Sequence, residues 1–456
     1  MSSLLRSQAT ATPASSWRPA LLVGALSAAL GVTTLGRKSL WFDEAFDAQR
    51  VKGSWHSLFH VIGQTEMSQA AYLVVLKPWV ALTSGSEVWL RLPSVIFAAV
   101  AAALLVPLGA RLLDRTTGIV AGVLLATNQF VVSHAQEART YALVTLAVVV
   151  TSYLFVVALD DPSRRRWLAY AVVAALSVYC HFYAGFVIAG QLAMLPFVPN
   201  RPPLRRVLEA AVVFGLLVTP ALLFTATASR TQVGWIPSPS LAVLRWVTEA
   251  ISGRSPAFML AAAAGLAILV HRLATGTATA RWQPALIGTW AVFPLVLGAL
   301  VSIVQPILWP QYAIVTTPAL ALAAAVTVST LYRARRAVGA IALLIVVGLA
   351  GYRIAHWYRS VPEDWRGATA YVARERRPGD AVLVAPPWAI DAFRYYDRAT
   401  PLASTLSTGK TFVLVFGSFD DPAQVVTDVF GKTQLRLAHE ASFGPRLVVR
   451  DLEPPR

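Results

Sequence analysis

Three stretches carry residue types whose spacing could do chemistry. In Trp41-Phe42-Asp43-Glu44-Ala45 two adjacent carboxylates are flanked by aromatic side chains that favour a membrane interface. A carboxylate partly withdrawn from water binds its proton more tightly and becomes a useful general base. The same pair could equally be solvated carboxylates at a helix end. In Ser133-His134-Ala135-Gln136-Glu137-Ala138-Arg139-Thr140-Tyr141, two apolar runs are joined by almost no loop. An ionisable residue at such a depth is costly and by default marks a functional site. Arg139 could grip a phosphate through two parallel N–H contacts, or pair with Glu137 as a structural tie. His181, in Tyr179-Cys180-His181-Phe182-Tyr183, could join it or be a satisfied structural histidine. A fourth stretch, Gln305–Tyr312, is a tight turn in which Trp309 and Tyr312 could anchor the interface or face a ligand. The aromatic loop Trp235–Trp246 could cover a site or only pack at the interface.

The chain that holds these residues has 456 of them, 56% hydrophobic and 14% charged. That excludes an ordinary soluble protein and points to a polytopic membrane protein. The net charge of +16 comes from arginine clusters between apolar runs. They read as topology signals rather than as a nucleic-acid surface. One cysteine, Cys180, excludes an intramolecular disulfide and a cysteine metal cluster. No Gly-rich phosphate loop, HExxH or CxxC occurs.

Residues 1–18 read as a cytoplasmic tail and 19–36 as a first span, in preference to a cleaved signal peptide. Further spans are expected near 92–110, 118–134, 140–158, 167–180, 184–199, 207–224, 257–271, 284–304, 313–331 and 337–357, about eleven in all. Arginines concentrate in alternate loops, at 111/115, 164–166, 201–206, 272/281 and 333–336. Those loops are expected to be cytoplasmic, with the N-terminus, which puts Asp43, Arg139, His181 and Tyr312 outside. Residues 37–90 form the first outer loop, with Ser54–Ile62 and Ala70–Leu82 as interfacial helices. Glu66 and Glu87 lie in this loop. Its Arg37, Lys38, Arg50, Lys52, Lys77 and Arg91 break the charge rule and suggest an anionic ligand. Residues 359–456 read as a small α/β domain outside the membrane. Its elements are a helix at Asp364–Arg376, a Pro378-Gly379-Asp380 turn, strands at Ala381–Ala385, Thr411–Phe416, Gln434–Ala438 and Arg446–Val449, and a helix at Asp421–Phe430.

The first-loop motif, Gly85-Ser86-Glu87-Val88-Trp89-Leu90-Arg91-Leu92-Pro93-Ser94 and Gln136-Glu137-Ala138-Arg139-Thr140-Tyr141, in that order, resemble the GT-C glycosyltransferases of the protein-mannosyltransferase and aminoarabinose-transferase type. The likeness covers 20–200 well and weakens beyond. Glu363-Asp364-Trp365-Arg366-Gly367 resembles bacterial members with an extracytoplasmic C-terminal domain. The resemblance implies an inverting transferase of the bacterial plasma membrane that uses a polyprenyl-monophosphate sugar. The acceptor would be a glycan, a glycolipid or a protein, and no metal would be essential. By position Asp43 would be the base, and Glu44 would orient the acceptor or support Asp43. Arg139, with His181 and Arg91, would hold the donor phosphate. Glu66, Lys77, His134, Glu137, Tyr141, Gln311 and Tyr312 would bind or support substrate. The chain departs from many relatives at Ser68-Gln69-Ala70-Ala71-Tyr72, where a Pro-Pro-Leu-Tyr segment is common. It departs again at Gln311-Tyr312, where Arg-Tyr is common; Lys77 or Arg91 could substitute, or the donor could differ. A flippase for a lipid-linked glycan and a non-catalytic assembly protein are the competing readings. Charge concentrated at one surface rather than mid-span favours the enzyme.

Overall fold

The computed structural model describes residues 17–227, 234–404, 410–417 and 436–453. Most of the expected tail, the expected helix Asp421–Phe430 and residue Gln434 lie outside them. Two compact units share the chain. The first comprises 1–33, 60–74 and 92–357; the second comprises 34–59, 75–91 and 358–456. The C-terminal segment thus folds as one unit with much of the first loop rather than by itself.

The first unit is helical. All eleven expected spans fall on helical segments. Seven are long and apolar enough to cross a membrane, running from Glu87–Leu112 to Arg336–Arg359. An eighth results if Arg115–Ala126 and Gln129–Ala135, bent by 58°, count as one. Trp17–Val32 and Ala184–Phe197 are shorter apolar helices. The bend has a local cause. Asn128 interrupts the run, and its side chain accepts from Phe130 N at 2.9 Å while donating to Ile251 O at 3.1 Å. Pro310–Ala334 is the most buried span and Leu204–Thr227 the most exposed. Small residues let the buried helices touch. A Cβ on Gly265 would lie 1.7 Å from Ala323 O, and Thr327 Oγ1 donates to Ala261 O at 2.7 Å.

In the second unit a helix runs Phe42–Lys52, where sequence reasoning expected open loop. Trp55–Val61 and Ala70–Leu82 are helical, as expected. The helix Trp365–Glu375 buries Trp365, Ala368 and Val372, the face its spacing indicated. Its sheet has four described strands, β1 (Ala381–Ala385), β2 (Thr411–Phe416), β3 (Arg436–Ser442) and β4 (Leu447–Glu453), in the order β1-β2-β4-β3. β1 and β2 are parallel; the other pairs are antiparallel. β1 and β2 match the expected bounds. β3 and β4 both end later than expected, and β4 begins one residue later. Gly379 makes the anticipated turn with φ +97, a conformation glycine adopts freely. A helix at Ile390–Tyr396, not anticipated, follows β1.

Candidate active site

Asp43 and Glu44 lie in the first turn of Phe42–Lys52 and face different surroundings. Glu44 is fully buried. Arg91 Nη2 and Nε donate to its two oxygens at 2.6 and 2.8 Å, and Trp41 N donates at 3.1 Å. The rest of the Arg91 guanidinium binds Leu35 O, Lys38 O and Ser39 O at 2.8–2.9 Å. All five N–H donors of Arg91 are therefore in use within the protein. This corrects the expectation that Arg91 holds a donor phosphate: it fixes the chain entering the helix, with Glu44 as its counter-ion. Asp43, the next residue outward, is half-buried.

Four other cations of the first loop, Lys38, Arg50, Lys52 and Lys77, also have partners within the protein. Lys77 Nζ donates to Val51 O at 2.9 Å and to Gly53 O, closing the C-terminus of Phe42–Lys52. Arg50 lies 3.2 Å over the Phe46 ring and Lys52 4.9 Å over Tyr395. Lys38 reaches Ser360 Oγ at 3.4 Å. Lys77 is thus a helix-capping residue, not a substitute for the missing arginine.

Sequence reasoning missed the C-terminal residues that hold this helix. Glu363 is buried, and its Oε2 accepts from Phe42 N at 3.2 Å and Trp365 Nε1 at 3.1 Å. Tyr396 Oη donates to Glu87 and accepts from Leu40 N at 2.6 Å; Arg366 also binds Glu87. Phe42 packs against Trp388 and Phe416 with ring centres 4.7 and 5.9 Å apart. The available signal was the Glu363–Gly367 motif, whose Arg366 and Glu363 sit 279 and 321 positions from their partners Glu87 and Phe42.

In the first unit a second cluster forms. His134 and Tyr141 rings are 4.8 Å apart, Tyr141 and His181 6.3 Å, and His181 and Tyr312 4.5 Å. Arg139 lies within electrostatic reach of His181. The structure therefore brings His134, Arg139, Tyr141, His181 and Tyr312 together, as their shared surface suggested. Glu137 Oε2 lies 4.0 Å from His134 Nε2. Gln311 Oε1 is buried with no hydrogen-bond partner. Glu66 accepts from Gln69 Nε2 at 2.7 Å, a local contact. Thr140 Oγ1 donates to Cys180 O at 2.5 Å, linking the Arg139 and His181 segments. Gln136, also missed, donates to Gly31 O at 3.1 Å and accepts from Trp357 Nε1 at 2.9 Å. Among the described residues no three of His, Cys, Asp and Glu converge as a metal ion would require.

A family model described as dolichyl-phosphate-mannose-protein mannosyltransferase matches residues 71–228. No curated protein matches the sequence. The apo structure of ArnT from Cupriavidus metallidurans is similar with a TM-score of 0.61 and 14% identity, over 96% of this chain and 98% of that one. Its undecaprenyl phosphate complex gives 0.58 and 14%, over 94% and 97%. The oligosaccharyltransferase AglB from Archaeoglobus fulgidus, in complex with an inhibitory peptide and a dolichol-phosphate, gives 0.55 and 11%. That match covers 83% of this chain, which spans 63% of AglB. On this likeness along nearly its whole length, the chain has the GT-C fold.

Proposed function

We propose that the protein is an inverting glycosyltransferase. It moves mannose or another envelope sugar from a polyprenyl-monophosphate carrier to an acceptor on the outer face of a bacterial plasma membrane. Asp43 takes the proton of an acceptor hydroxyl. The hydroxyl oxygen attacks the anomeric carbon, and the bond from that carbon to the phosphate oxygen breaks with its electron pair leaving on the lipid phosphate. Arg139, with His181, stabilises the charge that develops there, where a preorganised cation contributes most. Gln311 Oε1 offers an acceptor to a sugar hydroxyl. Tyr141 and Tyr312 wall the His181 side, and His134 and Glu137 support it.

The observation that carries this reading is the division of labour in the carboxylate pair. Glu44 is buried on Arg91, whereas Asp43 is only partly buried and is the member of the pair an acceptor can reach. Lipid carriers are consistent with the undecaprenyl phosphate bound to ArnT and the dolichol-phosphate bound to AglB. The test is transfer from labelled polyprenyl-phosphate sugars in membranes, comparing the intact protein with Asp43→Asn. Expected is a fall in kcat of roughly 10²–10⁴, the usual worth of a general base. Equal transfer by both removes Asp43 as the base. Transfer by neither, with every donor tried and an acceptor present, moves the transporter reading ahead.

A further inference from the structure

Glu363 stands just before the helix Trp365–Glu375, yet its side chain serves the start of Phe42–Lys52. A helix leaves its first N–H groups without internal partners, and Trp41, in the cap position, has no oxygen to offer them. Glu363 supplies one. Its Oε2 accepts from Phe42 N at 3.2 Å, and the same oxygen accepts from the Trp365 indole at 3.1 Å. Its backbone oxygen takes the Ser39 hydroxyl at 2.8 Å, so the segment is gripped on both sides of the entry to the helix. Asp43 follows Phe42 directly.

We propose that Glu363 is a positioning residue for Asp43, holding the Phe42 backbone that orients the base and placing a second negative charge beside it. This rests on the glycosyltransferase reading above. Two charged groups face Glu363, Arg446 with Nη1 at 4.0 Å and Asp43. Burial pushes the Glu363 carboxyl up to about 7, and Asp43 adds to this, while Trp365, the Phe42 N–H and Arg446 pull the other way. Glu363 therefore changes charge in the neutral range. When it is ionised, its field strengthens the hold of Asp43 on a proton and makes it a better base.

The experiment is the pH profile of kcat/KM in proteoliposomes with a labelled polyprenyl-phosphate sugar. The intact protein is expected to gain activity through an ionisation near pH 7. Glu363→Gln removes that ionisation and lowers the alkaline plateau about tenfold, while Glu363→Asp restores an ionisation. Arg446→Gln takes away a cation that favours the ionised form and moves the ionisation to higher pH. A folded Glu363→Gln protein with the profile of the intact enzyme overturns the proposal. If Glu363→Gln does not fold, an unmoved ionisation in Arg446→Gln overturns it instead. Asp43→Asn is assayed alongside. If that variant is inactive and Glu363→Gln behaves as intact, this inference alone fails; if Asp43→Asn transfers normally, the reading beneath it fails.

Discussion

A buried guanidinium is tolerated when every N–H finds an acceptor and its charge meets a counter-ion, and Arg91 satisfies both conditions. Removing the counter-ion with Glu44→Ala leaves a buried positive charge and should cost roughly 3–5 kcal/mol. Thermal melts in detergent would show this as a large fall in Tm. Asp43→Asn, one residue away and only partly buried, removes no counter-ion from Arg91 and should lower Tm by less than Glu44→Ala does. Glu363 makes the opposite prediction. Its carboxyl is raised from 4.5 to about 7, so the folded state favours the protonated form. The sign follows: this contribution is fully present below pH 4.5 and is lost as pH rises through about 7. Glu363→Gln should therefore match the intact protein at low pH, apart from lost contacts. It should gain on the intact protein by roughly 3 kcal/mol above pH 8, read as the difference between melts across pH. Of these roles, the sequence showed which side chains were chemically capable, because Asp43, Glu44, Arg139 and His181 stand out by type and by membrane depth. It did not show that Arg91 closes on Glu44, 47 residues away, or that Glu363 reaches Phe42 across 321. Such pairings are set by tertiary packing and leave no local spacing to read.

The same limit operates on elements. The seven longest membrane helices were legible because each is a long apolar run, and that pattern depends on no partner. Phe42–Lys52 was not, since FDEAFDAQRVK has no apolar stripe and no polar cap residue before it. What makes it helical is the surroundings: Glu363 at its first N–H, Lys77 on its last carbonyls, and Phe42 packed on Trp388 and Phe416. Its stability is therefore borrowed from these contacts, as expected for a helix of only 11 residues. The buried span Pro310–Ala334 works differently, through close approach. Gly265 on Pro256–Thr275 abuts the Ala323 backbone with no space for a side chain. Gly265→Leu should force the two helices apart at a cost of roughly 1–3 kcal/mol or more, seen as a lower Tm or loss of the monodisperse peak in size-exclusion chromatography. The same substitution at Gly348, where nothing lies within 4 Å of an added Cβ, should be tolerated.

For the molecule as a whole, sidedness decides which substrates the candidate residues can meet. The arginine-rich ends of the helices also carry ion pairs: Arg111 to Asp160 at 3.0 Å, Arg333 to Asp114 at 2.9 Å and Arg164 to Glu209 at 3.2 Å join different helices, while Arg205 and Arg206 reach Glu209 within one helix at 2.9 and 3.1 Å. Exposed pairs of this kind add little stability. Their charge balance favours positive, so they retain the bias that holds a loop in the cytoplasm. Two exposed positions bracket the span Pro256–Thr275 and report on it directly: Ser238 before it and Thr277 after it. With Cys180, the one native thiol, replaced by alanine, single cysteines can be placed by Ser238→Cys, Thr277→Cys and, in the C-terminal unit, Ala399→Cys. A membrane-impermeant maleimide added to intact cells should label Ser238→Cys and Ala399→Cys. Thr277→Cys should react only after the membrane is opened. That outcome puts Asp43, carried in the same unit as Ala399, on the side where a flipped polyprenyl-phosphate sugar is presented. Labelling of Thr277→Cys alone in intact cells would turn the bundle over. It would bring the candidate base to the cytoplasm, where activated nucleotide sugars compete as donors, and the lipid-linked donor would lose its topological argument.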